Sequence, residues 1–185
     1  MQIRTAEERD YENIKALYEE AFPKEERKEF ALIVRKHPNV RLEVMEEDNQ
    51  FCGFLTYILY RDIVFGDYLA VTDNMRGKNV GTQVLTWIKE KYPDQRIGLE
   101  IETPDETAPN QEQRLRRKAF YERNGFSLTG LRARVYVNDY CLMSRGGAIT
   151  MEDYLEVLRI MMDRPDMENI TKELPFPGEL CVNLP

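Results

Sequence analysis

The stretch Tyr68–Thr82, which reads YLAVTDNMRGKNVGT, decides the fold of this chain. An apolar strand pattern runs into a polar loop that contains Gly77, and a helix pattern follows at once. N–H groups at a helix N-terminus have no intrahelical partner and the helix dipole adds partial positive charge, so such a junction binds phosphate or pyrophosphate. Gly77 and Gly81 would let the backbone approach that ligand closely. From this stretch alone, an ordinary glycine-containing loop remains the alternative.

The loop does not match the common nucleotide motifs. Arg76 and Lys78 add positive charge to it, but no Gly-Lys-Ser/Thr follows the second glycine, which excludes a P-loop. The spacing of the glycines also differs from that of the dinucleotide fingerprint. The loop is therefore interpreted as an anion site of another class.

Strand and helix patterns alternate on both sides of this stretch. The strand patterns cover Ile3–Thr5, Arg41–Glu46, Phe51–Tyr60, Asp62–Val71, Arg96–Thr103, Phe126–Val137 and Tyr140–Ser144. The helix patterns cover a segment opened by Asp10, a segment opened by Pro23 that carries Phe30, Ile33 and Val34, and the segments Val80–Tyr92 and Gln111–Asn124. This order predicts an α/β fold, a mixed sheet of about six to seven strands with parallel central strands and helices on both faces.

The pattern changes after Arg145. Residues Met151–Met162 have the spacing of one amphipathic helix, and four of the nine prolines follow it. We therefore predict a first unit at residues 1–145 and, at 146–185, an appended helix with a poorly regular Pro-rich tail. This second segment is expected to pack on the first unit or on a second subunit, as a homodimer, and to take no part in the catalytic chemistry.

Composition excludes several function classes. The 185 residues carry 26 basic and 33 acidic side chains, a net charge of −7, which argues against nucleic acid as a partner. The longest apolar stretch, Phe54–Tyr60, is far shorter than the ~20 residues that span a bilayer. The N-terminus is charged from Arg4 onward, which is unlike a signal peptide. Three widely spaced cysteines indicate neither a disulfide framework nor a metal site, so a cytoplasmic protein is expected.

The single histidine, His37, excludes paired-histidine zinc motifs and argues against a Ser-His-Asp mechanism. No metal is therefore expected. Any catalysis has to use carboxylates, tyrosine, lysine or backbone amides.

A second segment resembles a known family. Residues Ala119–Phe126 (AFYERNGF) end a helix with Tyr121, followed after three residues by Gly-Phe. Together with Arg76–Gly81 (RGKNVG) they resemble the two motifs of the GNAT superfamily of N-acetyltransferases, a Gln/Arg-x-x-Gly-x-Gly/Ala loop and a Tyr-x-x-x-Gly-Phe helix end. The resemblance covers about residues 1–145. It departs from the family at Asn79, which replaces the first loop glycine, although asparagine tolerates positive φ.

The resemblance implies the GNAT fold and acetyl-CoA as acyl donor, with direct attack of an amine through a tetrahedral intermediate. Backbone amides at Leu69, Ala70 and Val71 would hold the pantetheine arm and the acyl oxygen. The cofactor's pyrophosphate would lie on the loop formed by Arg76, Gly77, Lys78, Asn79, Val80, Gly81 and Thr82. Tyr121 stands where the family has its general acid, whose role is to protonate the leaving thiolate.

Two positions are candidates for the general base. Asp67 occupies the position that diamine-acetylating relatives use, and Glu100, with Glu102, projects from one face of the neighbouring strand pattern. For each carboxylate the alternative is pairing with a nearby cation or a solvated strand face, because an unpaired buried carboxylate is costly.

The resemblance leaves two function classes open. The first is an N-acetyltransferase whose acceptor is the primary amine of a small molecule, either a cationic amine or the α-amine of an amino-acid-like molecule bound through Arg114–Lys118. The second is a catalytically idle acyl-CoA-binding or protein-interaction module on the same fold. The sequence identifies neither the acceptor nor the length of the acyl group.

Overall fold

The computed structural model describes residues 1–135, 138–163, 171–173 and 179–182. Its strands are β1 Gln2–Thr5, β2 Val40–Glu47, β3 Gln50–Tyr60, β4 Ile63–Val71, β5 Arg96–Glu102, β6 Ser127–Val135, β7 Asn138–Arg145, β8 Thr171–Glu173 and β9 Glu179–Val182. Its α-helices are α1 Tyr11–Ala21, α2 Phe30–Val34, α3 Val80–Lys91, α4 Gln111–Arg123 and α5 Met151–Met162. Short 3₁₀ turns cover Glu8–Asp10, Lys24–Glu26 and Asp73–Met75.

The strands form one mixed sheet in the order β1-β2-β3-β4-β5-β7-β6-β9-β8. The pairs β4–β5 and β6–β9 are parallel and the other pairs are antiparallel. The predicted mixed sheet with a parallel centre is confirmed for β1–β7. Strands β8 and β9 come from the tail that the sequence analysis expected to be irregular, and they extend the sheet beyond the seven strands expected.

Helices cover both faces of the sheet, as predicted. Helix α3 packs its apolar side on one face with Tyr57 and Leu99, joined by Phe120 and Tyr121 of α4. On the opposite face, α1 packs on Phe54 and its neighbours. Helix α5 packs on that same face, where its apolar residues contact a cluster that includes Ile58 and Phe65. The helix after Arg145 is therefore joined to the sheet of its own chain through apolar burial.

The central parallel pair opens part of the way along its length. Pairing between β4 and β5 runs from Ile63–Arg96 to Gly66–Leu99, and the second half of β4 continues beside β3. The β3–β4 register shifts between Leu55 and Tyr57, where β4 has extra residues opposite β3. Such a bulge bends a strand and re-aims its side chains. The two central strands therefore diverge beyond Gly66, which leaves room for a ligand between them.

Two local predictions differ from the structure. The helix expected from Pro23 is a 3₁₀ turn, Lys24–Glu26, followed by the short α2. Asp10 does not cap α1 through its side chain. Its carboxylate accepts from the Glu7 N–H at 2.7 Å and from the Arg4 guanidinium at 2.8 and 2.9 Å. The Asp10 carboxylate thus caps the 3₁₀ turn that precedes α1 and pairs with Arg4, instead of capping α1 as the sequence pattern suggested.

Candidate active site

A cavity of about 300 Å³ lies where β4 and β5 diverge. It brings together three residues that the sequence analysis singled out, Asp67, Glu100 and Tyr121. The same walls contain Lys28, from the segment before α2, and Met161 and Met162, from the end of α5. The cavity is therefore formed by parts of the chain that are far apart in sequence.

Asp67 is held in an ion pair inside this cavity. The Lys28 Nζ donates to its carboxylate at 2.6 Å, and the Thr56 hydroxyl donates to the same oxygen at 3.2 Å. Both charged side chains are largely shielded from solvent, with 6% of the Lys28 and 11% of the Asp67 side chain exposed. The β4 bulge produces this arrangement, since Thr56 also accepts from the Tyr68 N–H at 3.0 Å. The sequence left pairing with a cation or a solvated strand face as alternatives for Asp67, and in the structure Asp67 is paired with a cation.

Glu100 has a different environment in the same cavity. Its carboxylate accepts a hydrogen bond from the Tyr154 hydroxyl of α5. Burial raises the pKa of Glu100 to about 7, and the nearby Asp67 charge acts in the same direction. The Tyr154 hydrogen bond and the Lys28 charge act in the opposite direction. Glu100 therefore changes its protonation state near neutral pH, where a general base is most effective.

Glu102 is engaged by the basic side of α4. It is 5% exposed, and its two carboxylate oxygens contact Arg114 Nη2 at 2.9 Å and Arg117 Nη1 at 2.8 Å. Asn110 also donates to it, at 3.3 Å. Although Glu102 lines the cavity with Glu100, its acceptor capacity is taken up by these two guanidinium groups.

Tyr121 is positioned by aromatic packing near the end of α4. Its ring lies 5.1 Å from that of Phe120 and 5.6 Å from that of Phe126, both in edge-to-face contact. Burial raises the pKa of Tyr121, so the phenol stays protonated at neutral pH. Within the described part of the chain its hydroxyl has no hydrogen-bond partner, which leaves the proton available to a ligand in the cavity.

A second cavity, of about 360 Å³, lies at the N-terminus of α3. Asn79 precedes the helix with a φ of 63°, the left-handed conformation that asparagine tolerates. The first helical bond runs from the Gln83 N–H to the Asn79 carbonyl at 3.1 Å. The N–H groups of Val80, Gly81 and Thr82 therefore precede the helical ladder, and all three residues line the cavity. Such donors fit a pyrophosphate.

Gly77 and Gly81 are required at their positions in the loop for different structural reasons. Gly77 has a φ of 78°, and a side chain there would meet nothing within 4 Å, so its open side faces the space available to a ligand. A Cβ at Gly81 would lie 2.9 Å from Phe120 Cζ. Gly81 therefore allows α3 to pack closely on α4. The expectation that it also serves ligand approach stays a prediction.

The remaining candidate donor-site residues lie along β4 and the loop. Leu69, Ala70 and Val71 pair with β3 on one side, and lie beyond the last β4–β5 pair on the other. Val71 also lines the second cavity. The exposed Arg76 guanidinium is 2.7 Å from Asp73, and the Lys78 Nζ lies 3.8 Å from the Met75 sulfur. Arg76 therefore lines the cavity as half of an ion pair, and Lys78 is not among the residues that line it.

Sequence reasoning missed several residues of this site. Lys28 belongs to a loop without a recognisable motif, and Tyr154, Met161 and Met162 belong to a helix whose spacing indicated only a packing face. The segment after Arg145 was expected to stay apart from the catalytic chemistry. The structure differs, because α5 lies against the sheet with Tyr154 on Glu100.

No set of three or more histidine, cysteine or acidic side chains that could bind a metal occurs among the residues with described positions. In the same part of the chain, no helix combines the length and the apolar character needed to cross a bilayer.

Residues 38–128 match the family model of the acetyltransferase (GNAT) domain. Among curated proteins, none matches the sequence. A solved structure from Bacteroides thetaiotaomicron, described as a GNAT-family acetyltransferase, is 24% identical with a TM-score of 0.69, over 85% of this chain and 93% of that one. The ribosomal-protein-S18-alanine N-acetyltransferase from Escherichia coli is 15% identical with a TM-score of 0.63, over 82% and 97%.

An aminoglycoside 6′-N-acetyltransferase complexed with coenzyme A has the same fold, with 14% identity and a TM-score of 0.58 over 78% of this chain and 96% of that one. The family match and the shared fold confirm the resemblance to the GNAT superfamily, without assigning a subfamily. They support acyl transfer from acetyl-CoA as the general activity, and they leave the acceptor open.

Proposed function

We propose that this chain, with its GNAT acetyltransferase domain, transfers an acetyl group from acetyl-CoA to the primary amine of a small molecule by direct attack. One observation carries the proposal: Glu100 and Tyr121 line the same cavity between the diverging strands. One is a carboxylate whose pKa of about 7 suits a base, and the other a phenol that stays protonated. Amine acetylation needs this pair, since the ammonium must lose a proton and the thiolate must gain one.

Acetyl-CoA, the acyl donor, would bind across both cavities. Main-chain N–H groups of Val80, Gly81 and Thr82 provide preorganised donors for its pyrophosphate, and Gly77 keeps the approach open. The free edge of Leu69–Val71 lies between this helix end and the first cavity, which suits the pantetheine arm and the acyl oxygen. Because these donors belong to the backbone, they exist before the ligand arrives and cost little reorganisation.

Glu100 is the proposed general base, and Asp67 has a supporting role. The Asp67 carboxylate is ion-paired with the Lys28 ammonium, which also competes with an incoming ammonium for it, whereas no cation among the described residues is paired with Glu100. Glu100 accepts from Tyr154 and has a second carboxylate oxygen for the amine or for an intervening water. Asp67 and Lys28 then act through their charges on the ionisation of Glu100.

The charge of the cavity supports a cationic acceptor. Four acidic residues line it, Glu26, Asp67, Glu100 and Glu102, whereas three basic side chains, Lys28, Arg114 and Arg117, lie on its walls or on these carboxylates. An excess of acidic groups in a cleft concentrates cations. An amino-acid-like acceptor has less support, because a free carboxylate needs a free cation, and Lys28, Arg114 and Arg117 are engaged by protein carboxylates.

Coenzyme A release from acetyl-CoA, measured over polyamines, aminoglycosides, amino acids and peptides, tests the proposal. We expect the highest kcat/KM with a small di- or polyamine and a large loss in Glu100→Gln. Acetylation of peptides alone would contradict the small-molecule acceptor. If acetyl-CoA binds but no amine in the panel is acetylated, the idle acyl-CoA-binding module becomes the better description.

A further inference from the structure

We propose that Tyr154, on the C-terminal helix α5, is a positioning residue that fixes one carboxylate oxygen of Glu100 and keeps the other free for proton abstraction. The inference rests on the proposed function of Glu100. The observation behind it is the hydrogen bond from the Tyr154 hydroxyl to Glu100 Oε1, which joins residues 54 positions apart.

The Tyr154 hydroxyl has a fixed position. Its side chain is 0% exposed, and its ring lies 5.8 Å from that of Phe65 within the α5 cluster. A side chain packed in this way keeps one rotamer, so the hydroxyl is always presented to the same point of the cavity wall. Glu100 itself is only partly buried, and it is the member of the pair that faces the cavity.

Helix α5 is anchored at both ends, which makes it a rigid support. At its start, Thr150 and Asp153 form a capping box, and the Arg96 guanidinium contacts Asp153 at 3.0 Å. At its end, Arg35 contacts Asp163 at 3.0 Å. These ion pairs connect α5 to β5, which carries Glu100, and to the segment that follows α2. Movement of α5 relative to Glu100 would break several contacts at once.

The hydrogen bond has two effects on Glu100. A donor to the carboxylate favours the ionised form, and removing it leaves a buried carboxylate that holds its proton more tightly. It also selects which oxygen faces the acceptor. The other titratable groups that line this cavity are Asp67 and Tyr68 on β4, Lys28 and Glu26 before α2, Glu102 on β5, Arg117 and Tyr121 on α4, and Tyr140 on β7.

The chain offers a matched control for a purely structural role. Tyr57 is also 0% exposed, and its hydroxyl donates to the buried carboxylate of Glu43 at 3.0 Å. That pair lies under α3, outside the cavity that holds Glu100. Tyr154→Phe and Tyr57→Phe therefore both remove a phenol hydroxyl from a carboxylate, and only the first change acts on the proposed base. Glu43 keeps the Lys91 ammonium at 2.9 Å in the control variant.

The experiment compares kcat/KM as a function of pH in wild type, Tyr154→Phe and Tyr57→Phe, with the best amine of the panel. Since the base must be ionised, we expect the acid limb of Tyr154→Phe to move up by about one pH unit, with a loss of about fivefold at pH 7 that recovers at higher pH. Tyr57→Phe should lower the melting temperature and leave the limb in place. An unchanged limb in Tyr154→Phe would overturn the proposal.

Two further measurements keep the test decisive. Tyr154→Phe introduced into Glu100→Gln should cause no additional loss of kcat if it acts through Glu100, whereas independent effects would multiply. Carbon-13 NMR titration of the Glu100 carboxyl needs no turnover, so it separates this proposal from the proposed function. Its midpoint should rise in Tyr154→Phe, or, if that variant does not fold, in Tyr154→Met, which also removes the hydroxyl. An unmoved midpoint contradicts the positioning role even in a protein that acetylates nothing.

Discussion

The Nζ of Lys28 lies 2.6 Å from a carboxylate oxygen of Asp67, a contact between residues 39 positions apart that neutralises one of the two candidate bases. It distinguishes the three carboxylates that β4 and β5 carry to the cavity by the partners that they have. Asp67 and Glu102 are paired with basic side chains, and Glu100 accepts a hydrogen bond from a phenol. The distinction leads to separate expectations for each residue.

Removing Asp67 and removing Lys28 should shift the acid limb of the pH dependence of kcat/KM in opposite directions. Asp67→Asn removes a negative charge that raises the pKa of Glu100, so the limb should move to lower pH. Lys28→Met removes a positive charge that lowers that pKa, so the limb should move to higher pH. We expect shifts of about half a pH unit or more, measured in pH–rate profiles. Loss of the limb itself in Asp67→Asn would instead make Asp67 the base.

The ionisation of Glu100 should also make the free energy of unfolding of the ligand-free protein depend on pH. Its pKa rises on folding from an ordinary value of 4.5 to about 7, so the folded state binds the extra proton between these values. Its contribution to the free energy of unfolding is fully present below pH 4.5 and is lost as the pH rises through 7, at about 1.4 kcal/mol per unit of difference.

Urea unfolding at several pH values measures this linkage. The stability of wild type relative to Glu100→Gln should decline from pH 4.5 to 7 and then level off. A constant difference between the two proteins across this interval would show that Glu100 titrates normally in the folded state.

Tyr121→Phe keeps the ring and its two aromatic contacts and removes only the proton. Turnover should fall ~10²-fold or more, the usual range for loss of an acid catalyst, while the affinity for coenzyme A changes little. Single-turnover kinetics and calorimetry measure the two quantities. Near-normal single-turnover rates would reduce Tyr121 to a packing residue of α4.

The loop glycines allow a strain-matched test of the donor site. Gly77 and Gly130 both have positive φ, 78° and 86°, and neither has an atom within 4 Å of an added Cβ. Alanine at either position should cost a similar ~1–2 kcal/mol of backbone strain. Only Gly77→Ala should weaken coenzyme A binding in calorimetry, because only Gly77 lines the cavity at α3.

Gly81→Val is a less specific probe of the same cavity, because the added atoms would collide with Phe120. We expect it to lower both the melting temperature and the affinity for coenzyme A. Arg76→Ala should cost little affinity, because that side chain is exposed and paired with Asp73. Equal losses of coenzyme A affinity in Gly77→Ala and Gly130→Ala would contradict the assignment of the donor site to this loop.

Local features of this protein could be predicted from the sequence. Helix α5 has the bounds Met151–Met162 that its apolar spacing predicts, and Asn79 has the positive φ expected of a residue in place of glycine. Tyr121 and Glu100 were selected by motif and by strand alternation, and both line one cavity. Each of these features depends on neighbours in the sequence or on a family motif.

The missed features depend on tertiary contacts. The partner of Asp67 lies in a loop with no motif, and the partner of Glu100 is a tyrosine whose spacing marks it only as apolar packing. Strands β8 and β9 have three and four residues, too few to give a clear alternation. Single-sequence periodicity carries no information about which distant side chains meet across a bulge or a helix face.

Helix α5 comes after the whole family-matched segment, yet its Met161 and Met162 line the cavity that contains Glu100, and its Tyr154 donates to the Glu100 carboxylate. During synthesis, every residue that lines the cavity at the start of α3 is therefore made before the residues of α5 that line the first cavity. A stop codon after Ser144 would yield a chain that keeps the complete lining of the cavity at α3 and lacks Met161 and Met162 in the wall of the other.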